Sequence, residues 1–150
     1  MRALLQRVGS AAVSVDNQTI GEISAGLLVY VGVKQTDTKK DASLLAQKVA
    51  NLRIFEDQAG KLNLSVLDKS KQILVVPNFT LQADARKGRR PSFTLAAGGE
   101  FASDMFDFFI SELKNAGCLV ETGKFGADMK INSCAVGPIN IVVDIPPLPL

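Results

Sequence analysis

The segment Pro77-Asn78-Phe79-Thr80 brings an amide, an aromatic ring and a hydroxyl together directly after the apolar run Ile73-Leu74-Val75-Val76. A proline interrupts a strand ladder because it has no N–H to donate, so the segment is expected at the end of a strand. Loops on rigid scaffolds are where binding and catalytic residues concentrate. The alternative is a strand-terminating turn with a core phenylalanine.

The composition limits the chemistry available. The 150 residues include no histidine, which excludes a Ser-His-Asp triad, a Cys-His dyad and an H-E-x-x-H metal site. The two cysteines, Cys118 and Cys134, lack C-x-x-C spacing, which argues against a zinc site and a disulfide framework. With 17 basic and 15 acidic side chains the net charge is only +2, so contact with RNA must come from a local patch.

Such a patch is present in Arg86-Lys87-Gly88-Arg89-Arg90, where four cations fall within five positions. Gly88 and the following Pro91 predict a loop rather than a helix face. Clustered Arg and Lys can neutralise a phosphate backbone and release its counterions. The alternative is a solvated charged loop.

Two further segments contain glycine at positions where the backbone could approach a ligand closely. Gly123 and Gly126 flank Lys124-Phe125 without the spacing of a phosphate-binding Walker motif, and a hairpin turn is the alternative. Gly137-Pro138 lies between two apolar runs, which is typical of a turn. An X-Pro bond is the kind of peptide bond that adopts the cis form at modest cost.

The elements that must position these segments are rich in strands. Apolar alternation and apolar runs predict strands near 2–8, 11–15, 20–23, 27–33, 73–76, 119–124, 129–135 and 139–145, with a hairpin turn at Asp16-Asn17. Apolar residues at helical spacing predict helices over about 38–53 and 99–116. Strands that do not alternate with helices favour a single α+β domain over residues 1–150 rather than a doubly wound sheet.

Neither a signal peptide nor an apolar stretch of about 20 residues is present, so we expect a cytoplasmic protein without membrane contact. Three prolines, Pro146, Pro147 and Pro149, lie in the last five residues. A tail of this kind cannot be a central strand and is expected to run along the surface or over a partner.

Together these segments resemble the D-aminoacyl-tRNA deacylase family, also called D-tyrosyl-tRNA deacylase. The resemblance covers the whole chain. It is densest in Asn78-Phe79-Thr80-Leu81, in Arg86-Lys87-Gly88 with Arg90-Pro91-Ser92-Phe93-Thr94, and in Glu121 to Met129, and it closes with Gly137-Pro138. Two departures stand out: the family's usual S-Q-F-T reads Pro77-Asn78-Phe79-Thr80, and its G-P-V-T reads Gly137-Pro138-Ile139-Asn140.

The resemblance implies a homodimer of α+β subunits with curved, barrel-like sheets, antiparallel or mixed, and two main helices. It implies hydrolysis of the ester that joins a D-amino acid to tRNA, with some activity on glycyl-tRNA, and no cofactor or metal. Gly137-Pro138, with a cis bond, would enter the partner subunit's site and exclude L-amino acids through its backbone. Arg7 and Met129 would support the site, and the tRNA would be bound by Arg86, Lys87, Arg89 and Arg90.

The missing histidine agrees with this chemistry. Water would attack the ester carbonyl, backbone N–H groups at Phe79 and Thr80 would stabilise the oxyanion, and the ribose 2′-hydroxyl would help to activate the water. Asn78 keeps the family's amide but is one methylene shorter than glutamine. A nucleophilic Thr80 is the rival mechanism. A catalytically silent RNA-binding or amino-acid-binding module and a purely structural oligomer are the rival functions.

Overall fold

The computed structural model describes residues 1–147, so Pro149 of the proline-rich tail lies outside the described residues. Two helices are present in this part of the chain, α1 (Lys39–Asn51) and α2 (Gly99–Asn115). The strands are β1 (Arg2–Val15), β2 (Gln18–Ile23), β3 (Gly26–Gly32), β4 (Phe55–Glu56), β5 (Leu62–Leu64), β6 (Gln72–Pro77), β7 (Leu119–Thr122) and β8 (Lys130–Asp144).

The main sheet is mixed and curves toward closure. Its strand order is β2-β1-β3-β6-β7, and β8 pairs with the other edge of β1. The β1 strand is antiparallel to β2, β3 and β8, whereas β3–β6 and β6–β7 are parallel pairs. The two ends of this order meet at Gly21, where a Cβ atom would lie 2.8 Å from the Thr122 carbonyl oxygen. This arrangement confirms the expected α+β class and the barrel-like mixed sheet.

Local signals account for the boundaries that the sequence predicts well. Thr38 caps α1 in a capping box with Asp41, whose carboxylate accepts a hydrogen bond from the Thr38 N–H. After α2, Gly117 has φ +94°, a conformation that favours glycine. Asp16 and Asn17 both have positive φ, as a tight β1–β2 hairpin requires.

Two hydrophobic cores lie on opposite faces of the sheet. Leu5, Val29 and Ile73 pack toward α1 and α2, where Phe109 is fully buried. The opposite face carries a smaller core: Val8, Ala11, Val13, Ile23, Leu28, Leu74 and Val76. Strands β3 and β6 are thus buried on both faces, as their unbroken apolar runs predict. Truncation of Phe109 to alanine would cost about 3–5 kcal/mol of stability.

The structure departs from the predicted elements at two strands. Segments 2–8 and 11–15 form one continuous strand, β1, and segments 129–135 and 139–145 form one strand, β8, that includes Gly137 and Pro138. Gly137-Pro138 is therefore not a turn between two strands. The reason is that both halves of β8 pair with the same long partner, β1, on either side of Gly137-Pro138.

Candidate active site

A cleft of about 440 Å³ opens where β6 ends. We call it the aromatic cleft. It is lined mainly by apolar groups from the end of β3, the segment after β6, the start of α2 and the loop before β8. Its lining includes Asn78, Phe79, Phe93, Phe106, Phe125 and Met129.

Asn78 organises the turn that follows β6. Its backbone N–H donates to the Val31 carbonyl at 2.8 Å, and residues 79–82 then form a single 3₁₀ turn. The side-chain oxygen of Asn78 accepts hydrogen bonds from the Thr80 N–H, at 3.1 Å, and from the Thr80 hydroxyl. Both polar groups of Thr80 are therefore engaged, whereas the Phe79 N–H, at the first position of the turn, has no acceptor within it.

Aromatic rings form the rim and one wall of the cleft. The Phe79 ring, 57% exposed, meets the Phe93 ring edge to face, with centroids 5.2 Å apart. The centroids of the Phe106 and Phe125 rings lie 6.4 Å apart. An exposed pair of rings at the mouth of a cleft offers apolar faces on which a planar group can stack.

Met129 reaches the cleft through the loop that joins β7 to β8. A Cβ atom at Gly123 would lie 2.8 Å from the Met129 sulfur, so glycine leaves the space that this side chain fills. The loop is not a hairpin turn, because β7 pairs with β6 and β8 pairs with β1. The alternative prediction of a hairpin at Gly123–Gly126 is therefore wrong.

The basic run forms a closed loop beside the cleft. Asp84 and Ser92 exchange backbone hydrogen bonds of 2.8 Å at the base of this loop, and Phe93 follows directly. Arg86 donates to Asp84 through two side-chain nitrogens, at 2.9 and 2.7 Å, and these bonds lower the pKa of the Asp84 carboxyl to about 2. The other three cations are exposed and form no salt bridge within residues 1–147: Lys87, Arg89 and Arg90.

Residues 136–139 leave the β1–β8 ladder, and we call them the 136–139 excursion. Gln6 pairs with Asn140 and Val8 with Ala135, so four residues of β8 lie opposite Arg7 alone. The Gly137–Pro138 peptide bond is cis, as expected, and Gly137 has φ +124°. A Cβ atom at Gly137 would lie 2.8 Å from Ile139 Cγ1 and 2.9 Å from the Ile139 nitrogen, so this position requires glycine.

Arg7 joins the excursion to the neighbouring β4 segment. Its guanidinium donates to the Val136 carbonyl at 3.4 Å, to the Ile54 carbonyl at 3.3 Å and to the Glu56 carboxylate at 3.4 Å. The Arg7 side chain is largely buried, whereas Glu56 is half-exposed. Arg7 therefore contacts the residue before Gly137, and its role in supporting the site stays a prediction.

A second cleft, of about 390 Å³, lies beside the excursion. We call it the lysine cleft. Its polar lining consists of Arg7, Glu56, Asp57, Lys69 and Lys71, and Val136 forms part of its wall.

The structure brings together only part of the predicted site. Asn78, Phe79 and Met129 line the aromatic cleft, with Thr80 in the adjoining turn. Gly137 and Pro138 do not line the aromatic cleft of their own chain; they lie with Arg7 beside the lysine cleft. Sequence reasoning missed Phe106, Gly98 and Gly99 as lining residues, although the A-A-G-G run at the start of α2 could have drawn attention to the two glycines.

Within residues 1–147, the structure shows no helix long and apolar enough to cross a membrane and no group of three or more potential metal-ligating side chains among His, Cys, Asp and Glu.

The chain is similar to a family model and to curated proteins that are all described as deacylases. A family model described as D-Tyr-tRNA(Tyr) deacylase matches residues 4–144. Proteins named D-aminoacyl-tRNA deacylase from Bacillus anthracis (strain CDC 684 / NRRL 3495) and Bacillus cereus (strain B4264) are each 49% identical over 144 residues, 96% of this chain and 99% of theirs.

Solved structures agree with the fold. A c-Myc DNA unwinding element binding protein superposes with a TM-score of 0.91 and 38% identity, over 96% of this chain and 98% of its own. A probable eukaryotic D-amino acid tRNA deacylase superposes with a TM-score of 0.82 at 17% identity, over 95% and 97%, and supports the fold alone.

Proposed function

Since this chain belongs to the D-Tyr-tRNA(Tyr) deacylase family, we propose that it hydrolyses the ester of D-aminoacyl-tRNA, and of glycyl-tRNA to a lesser degree, in the cytoplasm. The products are a free D-amino acid or glycine and tRNA. The observation that carries the proposal is the aromatic cleft at the end of β6. The cleft presents the Phe79 backbone N–H, which has no acceptor among the described residues, beside aromatic faces suited to a terminal nucleobase.

The chemistry follows from the groups around this N–H. Water attacks the ester carbonyl, and the Phe79 N–H donates to the oxygen that becomes negatively charged. The chain has no histidine, and among the described residues no lysine lines the aromatic cleft. We therefore propose that the substrate's ribose 2′-hydroxyl orients and activates the water.

Thr80 is the weaker candidate for a nucleophile. Its hydroxyl donates to the Asn78 amide oxygen, a group that does not accept a proton at neutral pH. A nucleophilic hydroxyl needs a base to remove its proton. We assign Asn78 and Thr80 the role of holding the turn that presents the Phe79 N–H.

Selection against L-amino acids is assigned to the 136–139 excursion of a second subunit. The excursion lies outside the aromatic cleft of its own chain, and β8 is exposed along most of its length, including Val136 and Val142. In a homodimer, the Gly137 and Pro138 carbonyls would bind the substrate's amino group. An L-side chain would collide with this backbone, whereas a D-side chain would point outward and glycine would pass.

The loop between Asp84 and Ser92 is assigned to the tRNA backbone. Phe93 connects its base to Phe79 at the mouth of the cleft, so RNA held by the loop would place its acceptor end nearby. Arg86 is paired with Asp84. We therefore expect its three neighbours, which form no salt bridge in the described part of the chain, to contribute most to binding the tRNA backbone: Lys87, Arg89 and Arg90.

A silent binding module on the same fold is the second candidate. It is favoured by one observation: the Thr80 N–H, an expected oxyanion donor, is occupied by Asn78. The discriminating assay measures amino-acid release from D-Tyr-tRNA, L-Tyr-tRNA and Gly-tRNA. We expect rapid release from the first, slower release from the third and none from L-Tyr-tRNA; retention of D-Tyr-tRNA without cleavage would favour the module.

Two further experiments test the cross-subunit arrangement. Dilution to monomers, followed by ultracentrifugation, should abolish hydrolysis, and an active monomer would contradict the assignment. Arg7→Ala removes three hydrogen bonds around the excursion and should let some L-Tyr-tRNA be cleaved. Arg53→Ala is the matched control, because the Arg53 side chain donates to Asn63 and lines neither cleft.

A further inference from the structure

The lysine cleft contains unpaired positive charge. Among its charged residues, Glu56 is paired with Arg7. Asp57 accepts hydrogen bonds from two backbone N–H groups of the turn after β4 through Oδ1, and from the Asn63 side-chain amide in β5 through Oδ2. These bonds lower the pKa of the Asp57 carboxyl, so it stays ionised and committed to the turn. Lys69 and Lys71 have no salt-bridge partner in the described part of the chain.

The position of this cleft relates it to the substrate. Arg7 and Val136 line the lysine cleft, and Arg7 donates a hydrogen bond to the carbonyl of Val136, the first residue of the 136–139 excursion. This step rests on the proposed function: when the excursion enters the partner's aromatic cleft, the lysine cleft of the same subunit lies beside the partner's bound substrate. The tRNA strand that leads to the reacting adenosine carries a phosphate at every nucleotide.

We propose that Lys69 and Lys71 bind phosphates of the tRNA 3′ strand whose aminoacyl end reacts in the partner subunit. An ammonium group serves as a point charge for a phosphate, and a cleft of about 390 Å³ admits such a group together with its hydrating water. The aminoacyl end of the tRNA is then held by both subunits. The Asp84–Ser92 loop binds it from the subunit that supplies the aromatic cleft. The lysine cleft binds it from the subunit that supplies the 136–139 excursion.

The test compares two esters and two double variants. Lys69→Ala/Lys71→Ala should raise KM for D-Tyr-tRNA about tenfold at 0.1 M salt and reduce the slope of log KM against log salt by about 1.4. Its kcat, and its KM for the phosphate-free ester 3′-D-tyrosyl-adenosine, should stay at the wild-type values. The control Lys40→Ala/Lys48→Ala removes two exposed lysines of α1 and should change none of these parameters.

A heterodimer shows whether the lysines bind the tRNA that reacts in their own subunit or in the partner subunit. Subunits carrying Lys69→Ala/Lys71→Ala are combined with subunits whose kcat is lowered by Asn78→Asp. In the heterodimer, the cleft that keeps full kcat is paired with the intact lysines of the other subunit, so its KM should return to the wild-type value. A KM that stays raised would overturn the cross-subunit assignment.

The remaining outcomes are distinguishable. A KM for D-Tyr-tRNA within twofold of wild type, or an equal rise for both esters, would overturn the phosphate site while leaving the deacylase proposal intact. Wild-type protein that cleaves neither ester would overturn the proposed function, and with it the geometry on which this inference rests.

Discussion

Replacing Gly137 with alanine tests the excursion most directly. Gly137 has φ +124°, outside the small left-handed region open to other residues, and holding alanine there costs about 1–3 kcal/mol. The added Cβ would lie 2.8 Å from Ile139 Cγ1 and 2.9 Å from the Ile139 nitrogen. Ordinary carbon contacts begin near 3.5 Å, so residues 137–139 must shift by up to about 1 Å.

A displacement of this size at a substrate-contacting backbone can cost about a hundredfold in rate. We therefore expect D-Tyr-tRNA hydrolysis by Gly137→Ala to fall about 10²-fold in single-turnover assays, with tRNA affinity within twofold of wild type. Urea unfolding, run in parallel, should show a loss of stability of about 1–3 kcal/mol.

Gly60→Ala is the matched control. Gly60 has φ +73°, but nothing lies within 4 Å of the position that an added Cβ atom would take, and Gly60 lines neither cleft. This variant should lose stability through backbone strain and keep its activity. Full D-specific activity in Gly137→Ala would refute the reasoning, because a shifted excursion could not then be the surface that reads the substrate.

Three other predictions concern single groups or loops. Asn78→Asp keeps the two hydrogen bonds that the side chain accepts but puts a negative charge beside the developing oxyanion. The kcat should therefore fall about 10²-fold with little change in melting temperature. An unchanged kcat would argue against a site at Phe79. The Asp84 pKa of about 2, set mainly by hydrogen bonds from Arg86, lies below its ordinary value near 3.9, so the pair contributes stability above about pH 4 that is lost as pH falls toward 2. Carboxyl-carbon NMR should give this midpoint, and Arg86→Ala should return it to the ordinary range. The triple variant Lys87→Ala, Arg89→Ala and Arg90→Ala removes the other cations of the same loop. It should raise KM for aminoacyl-tRNA and lower the slope of log KM against log salt concentration by about 2. An unchanged slope would indicate that the RNA binds elsewhere.

Local chemistry explains what the sequence predicts correctly. The Thr38 cap, the Gly117 terminus and the Asp16-Asn17 turn each depend on residues within a few positions, so the helices and the first hairpin are readable from short windows. The apolar run of β3 likewise shows directly that the strand is buried on both faces.

Long-range pairing explains what the sequence does not show. Whether Gly137-Pro138 is a turn or part of a strand depends on β1, about 130 positions earlier, which supplies partners on both sides of it. The contact of Phe93 with Phe79 and the hydrogen bond from Arg7 to Ile54 depend in the same way on how distant segments meet. The commitment of the Thr80 N–H to Asn78 is short-range, but it depends on a side-chain rotamer that no periodicity reveals.

The pairing of β1 with β8 also governs when the molecule can be completed during synthesis. Arg2 lies opposite Asp144, so the edge of β1 that pairs with β8 stays unpaired until the end of β8 has been synthesised. Contacts so distant in sequence are slow to form, because the intervening chain must first be brought together. A nascent chain that ends before residue 130 therefore lacks the strand that carries the excursion. Under the proposed function, a truncation before residue 130 should remove the selection against L-amino acids while α1 and β1–β3 stay in the chain.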